Sequence, residues 1–242
     1  MKEWLLSIVD QFNTAFIVDD RWKYIAKGLG NTLLLTLLAL VLGVVLGVIV
    51  AAVRSTYDKQ KDEMKKGVGK RVLSFFNSIC KIYLTVIRGT PVMIQVMIIY
   101  FVIMASSSNK LLCGVIAFGV NSGAYVAEII RSGIMSIDQG QMEAGRSLGY
   151  NYVQTMGYII LPQAFKNILP ALANEFIVLL KETSIACYVG VVDLTGGANI
   201  IRGITYQSFF PLISVALVYL LMVMFFTKLV SILERRLKNS ER

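Results

Sequence analysis

The feature that most constrains this chain is an uncharged run of 24 residues from Gly30 to Val53. Only Asn31, Thr32 and Thr36 interrupt its apolar character. About 20 such residues, wound as an α-helix, cross the hydrocarbon core of a bilayer. Hydrophobic residues make up 56% of the whole chain, above the roughly 45–50% of soluble domains. The sequence therefore predicts an integral membrane protein.

Further apolar segments predict an all-α membrane protein with five transmembrane helices in one domain, residues 28–238. The expected spans are about 30–53, 72–105, 111–136, 170–190 and 209–233. Pro170 is expected to open the fourth, because proline is tolerated in the first turn of a helix. Residues 1–27 are expected to form an amphipathic helix on the periplasmic side, because apolar side chains recur there at helical spacing: Trp4, Leu5, Ile8, Val9, Phe12 and Phe16. The alternative, a plain packed helix, stays open on the same pattern. Residues 239–242 are expected to form a cytoplasmic tail.

The second expected span contains a break. Arg88, Gly89, Thr90 and Pro91 stand together within it, and proline lacks the backbone N–H that a helix interior uses. Carbonyl groups freed by a break in a membrane need partners from protein or from water in a cavity. The break therefore predicts two helical pieces whose junction is buried in protein or faces a cavity.

The distribution of basic residues predicts the orientation. Residues 54–71 carry seven basic residues and the chain from Lys228 onward carries five, whereas 106–110 carry one and 181–208 carry two. Lys and Arg concentrate in cytoplasmic loops, so the N-terminus is expected outside and the C-terminus in the cytoplasm. Residues 193–208 are expected to be a polar stretch on the outside. The same rule accounts for the net charge of +9, and no nucleic-acid partner is inferred from it.

The composition excludes several kinds of chemistry. The chain has no His, and Cys80, Cys113 and Cys187 are dispersed through apolar segments, so neither a metal site nor a disulfide framework is expected. It also lacks the G-x-x-x-x-G-K-[ST] pattern that cradles nucleotide phosphates. We therefore expect no catalytic residue and no cofactor in this chain, and any ATP-driven process would need an ATPase on another chain.

The third expected span carries polar residues on one face. Asn121, Tyr125, Glu128 and Ser132 follow one another at intervals of four, three and four residues, and such residues share a side of a helix. Two interpretations of Glu128 stay open. It lines a path through the membrane, or it only pairs with Arg131, which lies three residues on and within ion-pair reach.

The fourth expected span carries an intramembrane carboxylate, Glu175. A charge at the bilayer centre costs roughly 2.5–3.5 kcal/mol on insertion scales, so it needs a partner. Lys181 is six residues further along, about 240° round the helix, and is poorly placed to be that partner. Glu175 is therefore either a contact for a positive group of a substrate or a structural carboxylate bonded to a neighbouring helix.

Residues 138–162, between the third and fourth spans, are the most informative stretch. They read E-A-G-R-S-L-G from Glu143 to Gly149, then nine residues, then I-I-L-P ending at Pro162. Good helix formers followed by glycine predict a short helix that stops at Gly149. Glu143 is expected near its start, where a negative charge suits the helix dipole. A second helix, Tyr152 to Leu161, is expected to end where Pro162 removes a donor.

This spacing resembles the EAA loop of permease subunits from bacterial ATP-binding-cassette (ABC) importers. Gly145 departs from the pattern, because the family usually has Ala there, and it is expected to loosen the helix by roughly 0.5–1 kcal/mol. Three other segments resemble the branch of that family that carries polar amino acids, the histidine, glutamine and arginine permeases. They are R-G-T-P from Arg88, N-S-G-A-Y-V-A-E-I-I-R-S-G-I from Asn121 and L-L-K-E-T-S from Leu179.

The resemblance implies a type I importer fold and a multi-pass permease subunit of the prokaryotic inner membrane. It implies three partners besides the lipid bilayer: an ABC ATPase dimer that binds ATP and Mg²⁺, a second permease copy or a homologous permease, and an extracellular or periplasmic amino-acid-binding protein. The residues expected at the ATPase contact are Glu143, Ala144, Gly145, Arg146, Ser147, Leu148 and Gly149. Those expected along the substrate path are Thr85, Arg88, Asn121, Ser122, Tyr125, Glu128 and Glu175.

A second hypothesis comes from another class of protein, an ion-gradient-driven secondary transporter or a channel subunit. The intramembrane charges Glu128, Glu175 and Lys181 are typical of ion and substrate paths in many membrane proteins. Five spans without an inverted repeat weigh against this hypothesis.

Overall fold

The structure is a computed structural model that describes residues 8–60 and 67–239, and no residue in these two ranges lies in a strand. The α-helices are α1 (Trp22–Gln60), α2 (Val68–Gly89), α3 (Val92–Ile98), α4 (Lys110–Met135), α5 (Gln139–Ser147), α6 (Tyr152–Thr155), α7 (Leu161–Glu182), α8 (Leu194–Thr205) and α9 (Phe209–Asn239). Shorter turns of π-helix lie at Asn13–Ile17, Ile99–Ile103 and Met156–Ile160, and 3-10 turns at Val18–Asp20 and Thr183–Val189.

Within the described residues, four helices are long and apolar enough to cross a membrane, not the five expected. They are Trp22–Lys59, Val68–Gly89, Lys110–Met135 and Phe209–Leu237. The expected span at 170–190 falls on α7 and the 3-10 turn after it. α7 is 22 residues long, but Glu175, Lys181 and Glu182 lower its hydropathy. Its length would allow a crossing, so the difference lies in its polar residues.

The break in the second expected span is present. α2 ends at Gly89 and α3 begins at Val92. The side-chain amide of the buried Gln95 donates to the carbonyl of Ile87 at 2.7 Å and to that of Thr90 at 3.0 Å. Carbonyls that lose their helical partners at the break are therefore satisfied by protein, as a membrane requires.

α1 packs closely along α4, and the two helices run parallel. Gly43 lies against Ser122 and, one turn further, Gly47 lies against Val126. A Cβ at Gly43 would be 3.0 Å from the Cβ of Ser122, closer than ordinary packing. Small residues at this interface therefore let the two backbones approach, which is how membrane helices gain packing energy without a hydrophobic driving force.

α7 runs antiparallel to α4. Glu175 contacts Ser122, whereas Ile168, nearer the start of α7, contacts Gly133 near the end of α4. α9 packs on α7, with the rings of Phe176 and Phe226 4.9 Å apart. Asn167 near the start of α7 lines one groove with Glu234 near the end of α9, so the two helices run antiparallel. These contacts place α4 between α1 and α7 at the centre of the fold.

Two expectations about proline are wrong. Pro162 does not end a helix, because the π-helical turn Met156–Ile160 continues into α7, where Pro162 is the second residue. Proline is tolerated in the first turn of a helix, where its missing N–H costs no bond. Pro170 lies inside α7 instead of opening a helix.

The expected polar outer stretch at 193–208 is instead a packed helix, α8. Leu194, Ala198 and Ile201 on one of its faces are fully buried. Asp193 caps its start by accepting bonds from the backbone N–H groups of Gly196 at 2.8 Å and Thr195 at 3.3 Å. Glycines and apolar residues three and four apart make this face, and they outweigh the polar residues that suggested a loop.

The N-terminal segment packs on the same helix. Residues 8–12 are helical, and Ala15 and Phe16 in the following π-helical turn are buried against Ile201 of α8 and Phe210 of α9. Of the residues used to predict the amphipathic helix, Trp4 and Leu5 lie outside the described part of the chain. So do residues 61–66 of the basic loop and residues 240–242 of the tail.

Candidate functional site

α2, α4 and α7 enclose a charged cleft of about 520 Å³, within the range of roughly 300–1,000 Å³ that small-molecule sites occupy. Four of the seven residues expected along a substrate path line it. The complete lining is Arg88, Tyr125, Glu128, Ile129, Ser132, Gly133, Ser136, Asn167, Ala171 and Glu175.

Glu175 is the most buried charged group of the cleft, with 8% of its surface exposed. Its Oε1 accepts a hydrogen bond from Oγ of Ser122 at 2.8 Å. Ser122 lies just outside the cleft and acts on it through Glu175. Among the side chains that the structure describes, no Lys or Arg lies within 4.0 Å of Glu175. A carboxylate with one hydroxyl partner can accept further donors, including a cationic group that enters the cleft.

Arg88 and Glu128 form the opposite, charged end of the cleft. Nη1 of Arg88 lies 3.8 Å from Oε2 of Glu128, and its guanidinium carbon lies 5.8 Å from the centroid of the Tyr125 ring. Glu128 is bound more closely by Arg131, which donates to Oε1 at 2.6 Å and to Oε2 at 3.3 Å. Glu128 therefore lines the cleft and pairs with Arg131 at the same time, so the two interpretations of it are compatible.

Two predicted path residues lie elsewhere. Asn121 is buried and donates to Oε1 of Gln95 at 2.9 Å, so it holds the residue that satisfies the helix break. Thr85 is exposed and lines an adjoining cleft with Arg54 and Lys81. Periodicity grouped Asn121 with Tyr125 correctly on one side of α4, but α3 covers its end of that side.

The part of the chain that resembles the EAA loop, residues 138–162, is called the coupling segment below. Its first helix, α5, ends at Ser147, and Gly149 adopts a left-handed conformation with φ of 87°. The backbone N–H of Gly149 donates to the carbonyl of Arg146, and that of Tyr150 to the carbonyl of Gly145. This pair of bonds is the Schellman C-cap, so the predicted helix stop is confirmed. The next helix starts with a capping box between Asn151 and Gln154.

Gly145 has a different role from the one expected. It is buried where α5 meets α6, and a Cβ there would lie 2.5 Å from Cγ2 of Thr155 and 2.9 Å from Cδ1 of Ile159. The low helix propensity of glycine destabilises α5 locally. The close packing of Gly145 on Thr155 and Ile159 stabilises the tertiary structure, and helix propensity does not include that contribution. Gly145 therefore fixes the two helices against each other.

Glu143 is also placed differently. α5 begins at Gln139 behind the N-cap Asp138, so Glu143 lies in the second turn and the first turn holds no acidic residue. The expectation that Glu143 interacts favourably with the helix dipole is therefore wrong, because that effect is confined to the first turn. Glu143, Ala144, Arg146 and Ser147 are all exposed.

Large apolar side chains of the coupling segment are exposed. Leu148, Val153 and Tyr158 are each about three-quarters exposed, at 77%, 75% and 73%. Side chains of this size in one short segment outside the four apolar spans mark an interaction surface.

The coupling segment is joined to the cleft helices by its own hydrophobic cluster. Ile134 of α4, Ile160 of the π-helical turn, and Ala164 and Ile168 of α7 form its buried centre. Beside it, Asn167 of α7 donates to Oγ of Ser136 at 3.1 Å. The two helices that carry most of the cleft therefore share a packed base with the segment.

An all-helical membrane protein with a charged intramembrane cleft and an exposed, rigidly mounted coupling segment is of the class of transport subunits. The chain belongs to the family described as the binding-protein-dependent transport system inner membrane component, whose model matches residues 68–239. It is therefore a multi-pass inner-membrane permease.

Three similar proteins illustrate the relationship. A protein described as a putative glutamine transport system permease of Rickettsia typhi is 42% identical over 158 residues, covering 64% of this chain and 72% of its own length. The arginine transport system permease of Bacillus subtilis is 39% identical over 185 residues, covering 70% and 84%. The crystal structure of an amino acid ABC transporter with histidines superposes with a TM-score of 0.79 at 40% identity, covering 96% of this chain and 97% of the other.

Proposed function

We propose that the chain is the permease subunit of an ATP-driven importer of polar amino acids. The observation that carries this proposal is the agreement between two sources. The family match covers residues 68–239, and similar proteins are named for glutamine and arginine transport. The charged cleft suits such substrates, because it offers a carboxylate and a guanidinium to a zwitterion.

Within the cleft, Glu175 takes a positive group of the substrate and Arg88 takes its carboxylate. Glu175 is buried, accepts a hydrogen bond from Ser122 and faces no basic side chain among the residues described. Arg88 is half-exposed, and its contact with Glu128 is long, at 3.8 Å. Both groups therefore have unused bonding capacity, and charge-assisted bonds to the substrate would use it.

The coupling segment docks on a separate ATPase, which binds ATP and Mg²⁺. Support comes from the exposed apolar residues Leu148, Val153 and Tyr158 and from the absence of a phosphate-binding loop in this sequence. The glycine contact and the two helix caps make the segment rigid, and its shared base with α4 and α7 transmits its displacement to the cleft. The seven residues Glu143 to Gly149 lie at or beside this contact.

The chain crosses the membrane five times, with its N-terminus outside: the four apolar helices are joined by α7, which is the fourth crossing in chain order. The directions of the helices support this, since α1, α4 and α9 run one way and α7 the other. Two polar residues of α7, Asn167 and Glu175, line the cleft, where a polar side chain does not have to face lipid. A second permease copy or a homologous permease completes the path, and an external amino-acid-binding protein delivers the substrate.

Single cysteines test the orientation in a variant that lacks the native three. Ser147→Cys in the coupling segment should be protected from a membrane-impermeant thiol reagent in intact cells, and Asn109→Cys at the start of α4 should be labelled. The opposite pattern would invert the proposed topology.

Uptake by the reconstituted complex tests the function. Proteoliposomes that hold the permease and its ATPase, supplied with the binding protein, should accumulate one or more of the twenty amino acids with ATP inside. A non-hydrolysable analogue should stop uptake, whereas a protonophore should leave it unchanged. Uptake that needs an ion gradient and ignores ATP would favour the secondary-transporter hypothesis, which the family membership does not favour.

A further inference from the structure

We propose that Asp58, at the end of α1 and outside the cleft, is a positioning residue: it determines how strongly Glu128 neutralises Arg88, and so how strongly Arg88 attracts an anionic group of the substrate. The inference rests on the proposed function of the cleft. Asp58 belongs to the basic stretch 54–71, to which neither the cleft nor the coupling segment assigns a role.

Five charged side chains from three helices form a row that alternates in sign. Arg54 lies 4.0 Å from Asp58, Asp58 lies 3.4 Å from Arg131, Arg131 lies 2.6 Å from Glu128, and Glu128 lies 3.8 Å from Arg88. The inner members are about one-quarter exposed, between 24% and 27%, whereas Arg88 at the cleft end is 44% exposed. The row therefore runs from partly buried pairs to a guanidinium that reaches the cleft.

Each inner member of the row is shared between two neighbours. Arg131 faces the carboxylates of Asp58 and Glu128, and Glu128 faces the guanidinium groups of Arg131 and Arg88. Asp58 therefore neutralises part of the positive charge of Arg131. Because Arg131 is partly neutralised, Glu128 keeps more of its negative charge available to Arg88. If Asp58 loses its charge, Arg131 neutralises Glu128 more fully and Arg88 becomes a stronger partner for an anion.

The same turn of α1 also contacts the coupling segment. The side chain of Tyr152, at the start of α6, lies close to that of Thr56, and Thr56 lies two residues from Asp58. The end of α1 that carries Asp58 therefore lies beside the coupling segment, whereas Asp58 itself contacts only Arg54 and Arg131 among the ion pairs of the described residues.

Direct binding tests this role in the purified permease–ATPase complex without the binding protein. We expect Asp58→Asn to lower the Kd for glutamate about threefold, the size of effect that one screened charge about 10 Å away produces. The Kd for glutamine should fall less, and the Kd for arginine should rise. A purely structural role would change the amount of folded complex without changing the ratios of the three Kd values.

Three further variants make the result specific. Asp58→Glu keeps the charge and should retain the wild-type ratios of the three Kd values. Asp20→Asn removes an exposed carboxylate just before the first residue of α1, where it pairs with Lys23. It should also leave the Kd ratios unchanged. In an Arg88→Gln background, Asp58→Asn should have no further effect on relative affinity, because the residue through which it acts is gone.

The outcomes separate this inference from the proposed function. If the wild-type complex binds none of the three amino acids, the proposed substrate site is wrong. If it binds them and Asp58→Asn leaves their relative Kd values unchanged, or if the Arg88→Gln background retains the full effect, the positioning role of Asp58 is overturned.

Discussion

The coupling segment and the charged cleft hold their shapes by different means. In the coupling segment, contacts join residues close in sequence, such as the backbone bonds around Gly149 and the capping box of Asn151. In the cleft, polar side chains from remote positions meet, as Ser122 and Glu175 do across 53 residues. The coupling segment should therefore be sensitive to side-chain volume, and the cleft to charge.

The largest expected effect tests the volume side of this comparison. Gly145→Leu introduces a side chain where even a Cβ would lie 2.5 Å from Thr155, and overpacking of this kind costs about 1–3 kcal/mol. α5 would have to move away from α6, so uptake by the complex should fall at least about tenfold and less ATPase should co-purify.

Gly157→Ala is the matched control for that variant. Gly157 lies in the next turn of the same segment, and nothing stands within 4 Å of a Cβ placed there. Its uptake should stay within about twofold of wild type. Normal transport by Gly145→Leu would show that the contact with Thr155 does not fix the segment.

A charge exchange in the cleft has the next largest effect. Glu128→Arg/Arg131→Glu keeps an intrahelical ion pair, but it places a guanidinium beside Arg88 and a carboxylate beside Asp58. Like charges then face each other at both ends of the pair, so we expect uptake to stay below about one-tenth of wild type although the subunit inserts.

The same exchange distinguishes a local pair from a row. If Glu128 and Arg131 only stabilise α4, the double exchange should restore the uptake that each single reversal abolishes. Adding Asp58→Arg to the double exchange gives the carboxylate introduced at position 131 an opposite charge and should recover part of the loss.

Glu175→Gln should change substrate preference more than total uptake. It keeps the shape of the side chain and removes its charge, so the uptake of arginine relative to glutamine should fall about tenfold, equivalent to about 1.4 kcal/mol. Ser122→Ala is the control, because it removes the hydroxyl partner and leaves the charge, so the ratio should stay within about twofold. Unchanged relative uptake of arginine, lysine, glutamine and glutamate in Glu175→Gln would eliminate the substrate contact.

The smallest effect concerns stability. Gln95→Leu leaves the carbonyls of Ile87 and Thr90 without their side-chain donor, and an unsatisfied buried group costs about 1–3 kcal/mol. A shift of about 2–4 °C per kcal/mol is expected for a chain of this length, measured as the Tm of the purified complex.

Substrate preference should not change in Gln95→Leu, since Gln95 lies outside the cleft. Gln163→Leu, which removes an exposed amide that donates to the carbonyl of Ile159 at 2.8 Å, should leave the Tm within about 1 °C of wild type. An equal fall in both variants would mean that Gln95 has no special role at the break.

Much of the coupling segment was predictable from sequence because its determinants are local. Gly149 as a helix stop depends on backbone preferences that a few neighbouring residues reveal. The same is true, outside the coupling segment, of the break at Arg88–Pro91 between α2 and α3. The misjudged residues are those whose environment is tertiary. The role of Gly145 depends on its contact with Thr155. Pro162 does not end a helix because the π-helical turn before it continues into α7.

The cleft was only partly predictable for the same reason. Helical periodicity placed Tyr125 and Glu128 together, but it could not show that α3 covers Asn121 or that Ser122 reaches Glu175. It gave no reason to single out Asp58, whose partner Arg131 lies 73 residues away. No pattern within one helix contains that pairing.

The sequence by itself determined the membrane-embedded class, the helical pieces, the coupling segment and the family resemblance, because hydropathy, helix stops and motif spacing are properties of short stretches. Only the tertiary structure decided three points. Among the described residues, they are that Glu175 has no basic partner within 4.0 Å, that Gly145 contacts Thr155, and which five charged side chains form one row. Those outcomes depend on the close packing of α1, α4 and α7, where a shift of a few ångströms in any helix would change every partner.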